Sequence, residues 1–178
     1  MSIVSDSKDW TWVLARPCPE CGFDTSSFAR ESIGAMIRDN AAQWQQVLRR
    51  ADARQRPDQQ TWSPLEYGCH VRDVHRLYDY RLELMLTEHD PLYPNWDQDL
   101  TAVEDRYGDQ DPVAVAAQLG SAAEAVAGRF DGLNDKQWKR TGSRSDGASF
   151  TVESFARYYA HDWVHHLWDV TARRAATR

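Results

Sequence analysis

Apolar residues recur at three- and four-residue steps in four stretches of this chain, and no stretch alternates with the two-residue period of a strand. The first stretch runs from about Ser26 to Arg50, with Phe28, Ile33, Met36, Ile37, Trp44, Val47 and Leu48 on one face. Arg49 and Arg50 suit the negative end of its dipole. The second begins at Ser63-Pro64-Leu65-Glu66, where Ser63 fits the N-cap, Pro64 the first helical position, and Glu66 closes a capping box. Tyr67, His70, Val71, Val74, Leu77, Tyr78 and Met85 then share a broad face to about Thr87.

Residues 88–111 are acidic and broken by Pro91 and Pro94, a long connection with a short helix near Leu100–Arg106. Asp111-Pro112 opens a third helix through about Arg129. Thr141 to Ser149 is turn chemistry. The fourth helix starts at Thr151, with Phe150 and Phe155 placed as a hydrophobic staple, and runs to about Arg173 before a frayed basic tail. Four amphipathic helices without strand partners predict an all-α four-helix bundle. It forms one domain over residues 1–178, with an irregular N-terminal strap over 1–25 and a long connection between helices two and three.

Composition narrows the function classes. At 178 residues the chain is long enough for one substantial core, and 42% hydrophobic with 27% charged residues is ordinary for a globular protein. No apolar run approaches the length of a membrane span, and no basic start precedes an apolar stretch as in a secretory signal. A net charge of −6 argues against nucleic acid as a partner. Three cysteines fit a reducing cytoplasm better than a disulfide framework. The expected partner is a small-molecule substrate, and exposed bundle faces leave room for a homodimer.

The candidate chemistry lies in histidines. His161 and His165 sit one turn apart on the fourth helix, so both imidazoles can converge on one divalent metal. His70 lies inside the apolar stripe of helix two, where an imidazole needs a partner. Should these helices be neighbours, His70, His161 and His165 form a three-histidine site with open positions, the pattern of a catalytic metal. Glu66 and Asp73 flank His70 by one turn on either side, and Asp169 follows His165 by four. His166 is read as outer-shell or surface, and His75 and His89 as solvated.

The Trp62-Ser63-Pro64 start, the single His70 in helix two and His161-x-x-x-His165 in the last helix resemble the DinB/YfiT-like metalloproteins over roughly residues 26–175. The resemblance implies a four-helix bundle with a divalent metal, zinc or nickel, on His70, His161 and His165. It also implies kinship with thiol-dependent S-transferases and a mycothiol-dependent maleylpyruvate isomerase.

Cys18-Pro19-Glu20-Cys21-Gly22 departs from that pattern and admits three readings. It is a turn in a strap carrying Trp10 and Trp12, or a redox pair or thiolate reaching the bundle's metal, or half of a zinc ribbon lacking its second CxxC. Cys69 reads as a small buried filler. The leading expectation is a metal-dependent transferase acting on a low-molecular-weight thiol of the mycothiol or bacillithiol kind. Three neutral histidines would leave the ion its full charge to favour a thiolate. Asp73, Tyr158 or Glu66 would move protons, and Arg72, Arg76 or Arg157 would bind a thiol's carboxylate. The alternatives are a metal-dependent hydrolase, a non-catalytic metal-binding stress-response module, and a bundle whose histidines bind no metal.

Overall fold

Three of the four long helices begin where a side chain caps their free backbone N–H groups. The computed structural model describes residues 10–172. Helix α2, Pro64–Thr87, opens on a complete capping box: the Ser63 hydroxyl accepts from Glu66 N–H, and the Glu66 carboxylate accepts from Ser63 N–H. Glu66 is buried and also ion-paired with Arg56, which holds its carboxyl below the usual range although burial alone would raise it. Helix α4, Pro112–Asp131, is capped by Asp111, and α6, Val152–Thr171, by Thr151 reciprocally with Ser154. Phe150 and Phe155 meet with ring centroids 6.1 Å apart, the expected staple.

Helix α1, Ile33–Leu48, starts later than its hydrophobic pattern predicts. The Ser26 hydroxyl donates to Asp24 Oδ1 and the Ser27 hydroxyl to the Asp24 carbonyl, both at 2.7 Å. These local bonds give the backbone an alternative to helix, so residues 26–29 turn and only a 3-10 segment, Arg30–Ser32, leads in. At the other end Arg50 reaches across to the Val170 carbonyl of α6 (2.9 Å) rather than serving its own helix end.

The four long helices form the bundle, with α4 and α6 each packed against both α1 and α2. Trp44 of α1, Leu82 of α2, Phe130 of α4 and Phe155, Tyr159 and Trp163 of α6 supply its buried centre. Tyr78 stacks on Phe155 (4.5 Å) and Tyr159 (4.4 Å), which fixes the rotation of α6 against α2. Two short helices complete the count among the described residues: α3, Gln98–Glu104, in the long connection, and α5, Asp135–Trp138.

The bundle is not purely helical. A three-stranded sheet joins β1, Leu92–Tyr93, parallel to β2, Thr141–Arg144, which pairs antiparallel with β3, Ser149–Thr151. Strands of two to four residues are too short to display a period, so the sequence shows only their turn. Gly142 is required there, because a Cβ would stand 2.8 Å from Met85 Cγ. Beyond residue 172 the tail read as frayed lies outside the described residues, as does 1–9 of the strap.

His75 is a correction. Rather than solvated, it is fully buried in α2 and hydrogen-bonded through Nδ1 to the Tyr159 hydroxyl. Burial pushes its pKa down to about 3. His89 is exposed, as expected.

Two predictions follow from these buried groups. Between pH 6.5 and 3 the unfolded chain binds a proton at His75 that the native state refuses, so stability falls as pH falls through that window. Chemical denaturation at several pH values should show the slope in His75→Gln reduced by about one proton relative to the parent. Glu66→Gln should destabilise the protein by about 1–3 kcal/mol through the lost Arg56 pair and a weakened cap. Its metal content by elemental mass spectrometry should stay unchanged.

Candidate metal centre

Helix α6 carries two interleaved pairs of metal-ligating side chains, His161 with His165 and Asp162 with His166, each spaced by four. Successive residues on a helix are turned about 100° from one another, so the pairs address different neighbours. Asp162 and His166 meet His70 of α2, and His161 and His165 meet Cys18 and Cys21 of the strap. In each group the ligand atoms lie within 4.8 Å of one another. The structure thus divides the three predicted histidines between two clusters. His70 finds Asp162 and His166 as neighbours, and His166 is part of a cluster rather than outer-shell.

The sequence carries this second pair as Asp162-x-x-x-His166, one residue along from His161-x-x-x-His165. Choosing between two adjacent registers requires the rotation of α6, which the packing of Tyr159 and Trp163 decides.

In the first cluster His70 is fully buried, and neither of its ring nitrogens has a hydrogen-bond partner. Asp162 Oδ1 is likewise buried and unpartnered. It stands 3.5 Å from His70 Nε2 and 3.9 Å from His166 Nε2. These separations are too long for good hydrogen bonds. Ligands at about 2.0–2.2 Å from a metal stand roughly 3.0–3.5 Å apart, so His70 and Asp162 are already at the spacing of donors to one ion, and His166 would need to close by a few tenths of an ångström. His166 Nδ1 is 3.2 Å from Asp169 Oδ2, an arrangement in which a carboxylate orients a ligating imidazole.

The electrostatics agree with this donor set. Burial lowers the His70 pKa against the pull of Asp162, keeping the ring neutral with a lone pair to give. Burial alone would raise Asp162, yet the facing imidazoles of His70, His166 and His161 hold it well below the usual carboxylate range. Aromatic rings fix the geometry. Trp96 lies parallel to His70 at 5.4 Å, Trp62 stands at 5.5 Å, and Tyr67 packs on His166 at 5.1 Å.

Asp162 and His166 open onto a cleft of ≈ 870 Å³ whose walls include Trp10, Trp96, Arg81, Arg144 and Tyr158. Arg81 donates to the Pro94 carbonyl (2.7 Å), while its Nε is buried without a partner. Arg144 pairs with Asp146 (2.8 Å) and approaches the Tyr158 hydroxyl (3.4 Å). Burial raises the Tyr158 pKa against the opposing effect of Arg144, so the phenol keeps its proton.

The other predicted groups are committed elsewhere. Glu66 serves its cap and Arg56, and Asp73 binds Arg72 and Arg76 while accepting from the Tyr107 hydroxyl (2.7 Å). Neither lines the cleft, whereas Tyr158 does. Arg72 is buried with Asp73, Gln110 and Gln118, and Arg157 holds the Thr25 carbonyl and Glu153. The arginines that face the cleft are Arg81 and Arg144. Cys69 is the expected buried filler, with burial pushing its thiol up to about 12.

In the second cluster Cys18 Sγ lies 3.7 Å from His165 Nδ1. His161 Nε2 is buried with no partner. Burial lowers the pKa of both imidazoles, with His161 at about 4, and pushes the Cys21 thiol up to about 11. The described residues therefore include two groups able to hold a divalent ion. No described helix is long and apolar enough to cross a membrane.

The protein-family model of the DinB superfamily matches residues 35–170, from the start of α1 almost to the end of α6. No curated protein matches the chain. Among solved structures it is similar to YfiT from Bacillus subtilis, with 19% identity, a TM-score of 0.71, and coverage of 84% of this chain and 91% of that one. YfiT is described as a probable metal-dependent hydrolase with an unusual four-helix bundle topology. The family match spans all four long helices, and this chain belongs to the DinB superfamily.

Proposed function

We propose that this protein is a metal-dependent hydrolase of a small molecule, with its ion held by His70, Asp162 and His166. The observation that carries the reading is the set of buried, unpartnered ligand atoms on His70 and Asp162, with Asp162 lining an open cleft. A buried polar group without a partner is costly, and a bound cation would offset that cost for both at once. A divalent ion there supplies Lewis acidity, making a water or a thiol nucleophilic near neutral pH.

Two imidazoles and a carboxylate leave such an ion less positive than three histidines would. Two histidines with one carboxylate is also a donor set of water-activating zinc enzymes. This donor set, with the likeness to YfiT, a probable metal-dependent hydrolase, favours hydrolysis over thiol transfer. Asp169 holds the His166 ring by its far nitrogen. Tyr158, protonated and placed by Arg144, stands ready to donate a proton or hydrogen bond to a substrate oxygen. Trp96 and Trp62 keep water away from the back of His70. Transfer to a low-molecular-weight thiol remains the second reading, favoured by Arg81, whose unpartnered Nε at the cleft suits the carboxylates such thiols carry.

The test loads purified protein with zinc, nickel or manganese and screens small esters, amides and lactones with and without mycothiol or bacillithiol. Turnover without thiol, abolished in His70→Ala and His166→Ala, is the expected result. Turnover only with thiol would move the assignment to a transferase. Asp169→Asn should keep the fold by circular dichroism and weaken metal binding about 10- to 100-fold in competition titrations.

A further inference from the structure

The second cluster on α6 is not needed for that chemistry, and two of its four members lie outside the segment matched by the family model. Cys18 and Cys21 precede residue 35, where the match begins. Yet Cys18-x-x-Cys21 and His161-x-x-x-His165 have the ligand types and spacings of a closed, four-coordinate zinc site. We propose that these four residues bind a structural zinc ion that fastens the N-terminal strap to α6, separate from the ion at His70.

The four ligand atoms stand close enough together to share one ion. Zinc–sulfur bonds of about 2.3 Å and zinc–nitrogen bonds of about 2.0–2.1 Å place sulfur and nitrogen about 3.6 Å apart at the tetrahedral angle. Cys18 Sγ and His165 Nδ1 stand at 3.7 Å, and all four ligand atoms lie within 4.8 Å. His161 is only 5% exposed, and its Nε2 has no other partner. The carboxylates of Asp169 (3.8 Å) and Glu20 (3.9 Å) stand near His165 Nε2, the nitrogen left over when Nδ1 binds an ion.

The cysteine segment is shaped for the same task. Gly22 N–H donates to the Cys18 carbonyl (2.9 Å), and Cys18 N–H donates to the Phe23 carbonyl (3.0 Å), closing a tight knuckle. Gly22 has φ +73°, a left-handed conformation that favours glycine. The Phe23 backbone also hydrogen-bonds the Cys21 sulfur. Trp10 covers both imidazoles, at 5.5 Å from His161 and 5.6 Å from His165. Two soft thiolates with two imidazoles in a tetrahedral, covered site select zinc over harder divalent ions. Since Trp10 and Glu20 also line the cleft, the ion would hold one of its walls in place.

Cobalt substitution tests the site independently of any activity. The parent protein should bind two equivalents of cobalt, one producing a thiolate-to-cobalt charge-transfer band and the strong visible bands of a tetrahedral ion. Cys18→Ser/Cys21→Ser should lose those bands and one equivalent, and His70→Ala should lose one equivalent and keep the bands. X-ray absorption on zinc-loaded His70→Ala should show two sulfur neighbours at about 2.3 Å. This last measurement needs no cysteine variant to fold. A nitrogen- and oxygen-only shell would overturn the proposal, as would a Cys18–Cys21 disulfide in protein purified without oxidant. Loss of only the His70-dependent equivalent would sink the catalytic reading and leave this site standing.

Discussion

The rotation of α6 about its own axis is the constraint on which both candidate metal clusters depend. Four candidate ligands occupy six consecutive positions, 161–166, and a turn of one residue would exchange their partners. Tyr159 between Tyr78 and Phe130, Trp163 in the core, and the Thr151 cap with the Phe150–Phe155 staple hold that rotation. Apolar packing of one face of the helix thus sets the chemistry of the other two.

The packing also gathers donors where hydrogen bonds are few. His70 and Asp162 Oδ1 face one another at a distance too long for a good hydrogen bond, with aromatic rings around the imidazole. Burial favours the neutral imidazole of His70, and the facing imidazoles keep Asp162 anionic against its burial, which are the forms a cation needs. His75, one and a half turns farther along α2, shows the contrast. It is as deeply buried, but its partner is a tyrosine hydroxyl and its role is structural.

The regular bundle supplies ligands, and the irregular segments supply the walls. Trp96 comes from the long connection, Arg144 and Asp146 from the hairpin of β2 and β3, and Trp10 and Glu20 from the strap. These parts are placed by specific bonds. Arg157 holds the Thr25 carbonyl, the Thr25 hydroxyl donates to the Val13 carbonyl at 2.8 Å, and the Asn95 N–H donates to the Ser145 hydroxyl oxygen at 2.8 Å. A cleft made this way can differ between members of one fold while the bundle stays the same.

The chain by itself determined its helices, their caps and the presence of paired ligands. Those are local matters: a Ser63–Glu66 box, a Phe150–Phe155 staple and a four-residue spacing are complete within a few residues. Where local bonds competed, as at Asp24 with Ser26 and Ser27, periodicity overran the true start of α1. Only the tertiary structure decided that His70 meets Asp162 and His166, that Cys18 and Cys21 meet His161 and His165, and that Arg81 and Arg144 face the cleft. These are contacts across tens to more than a hundred residues, and they turn on a helix rotation that the summed packing of the core sets.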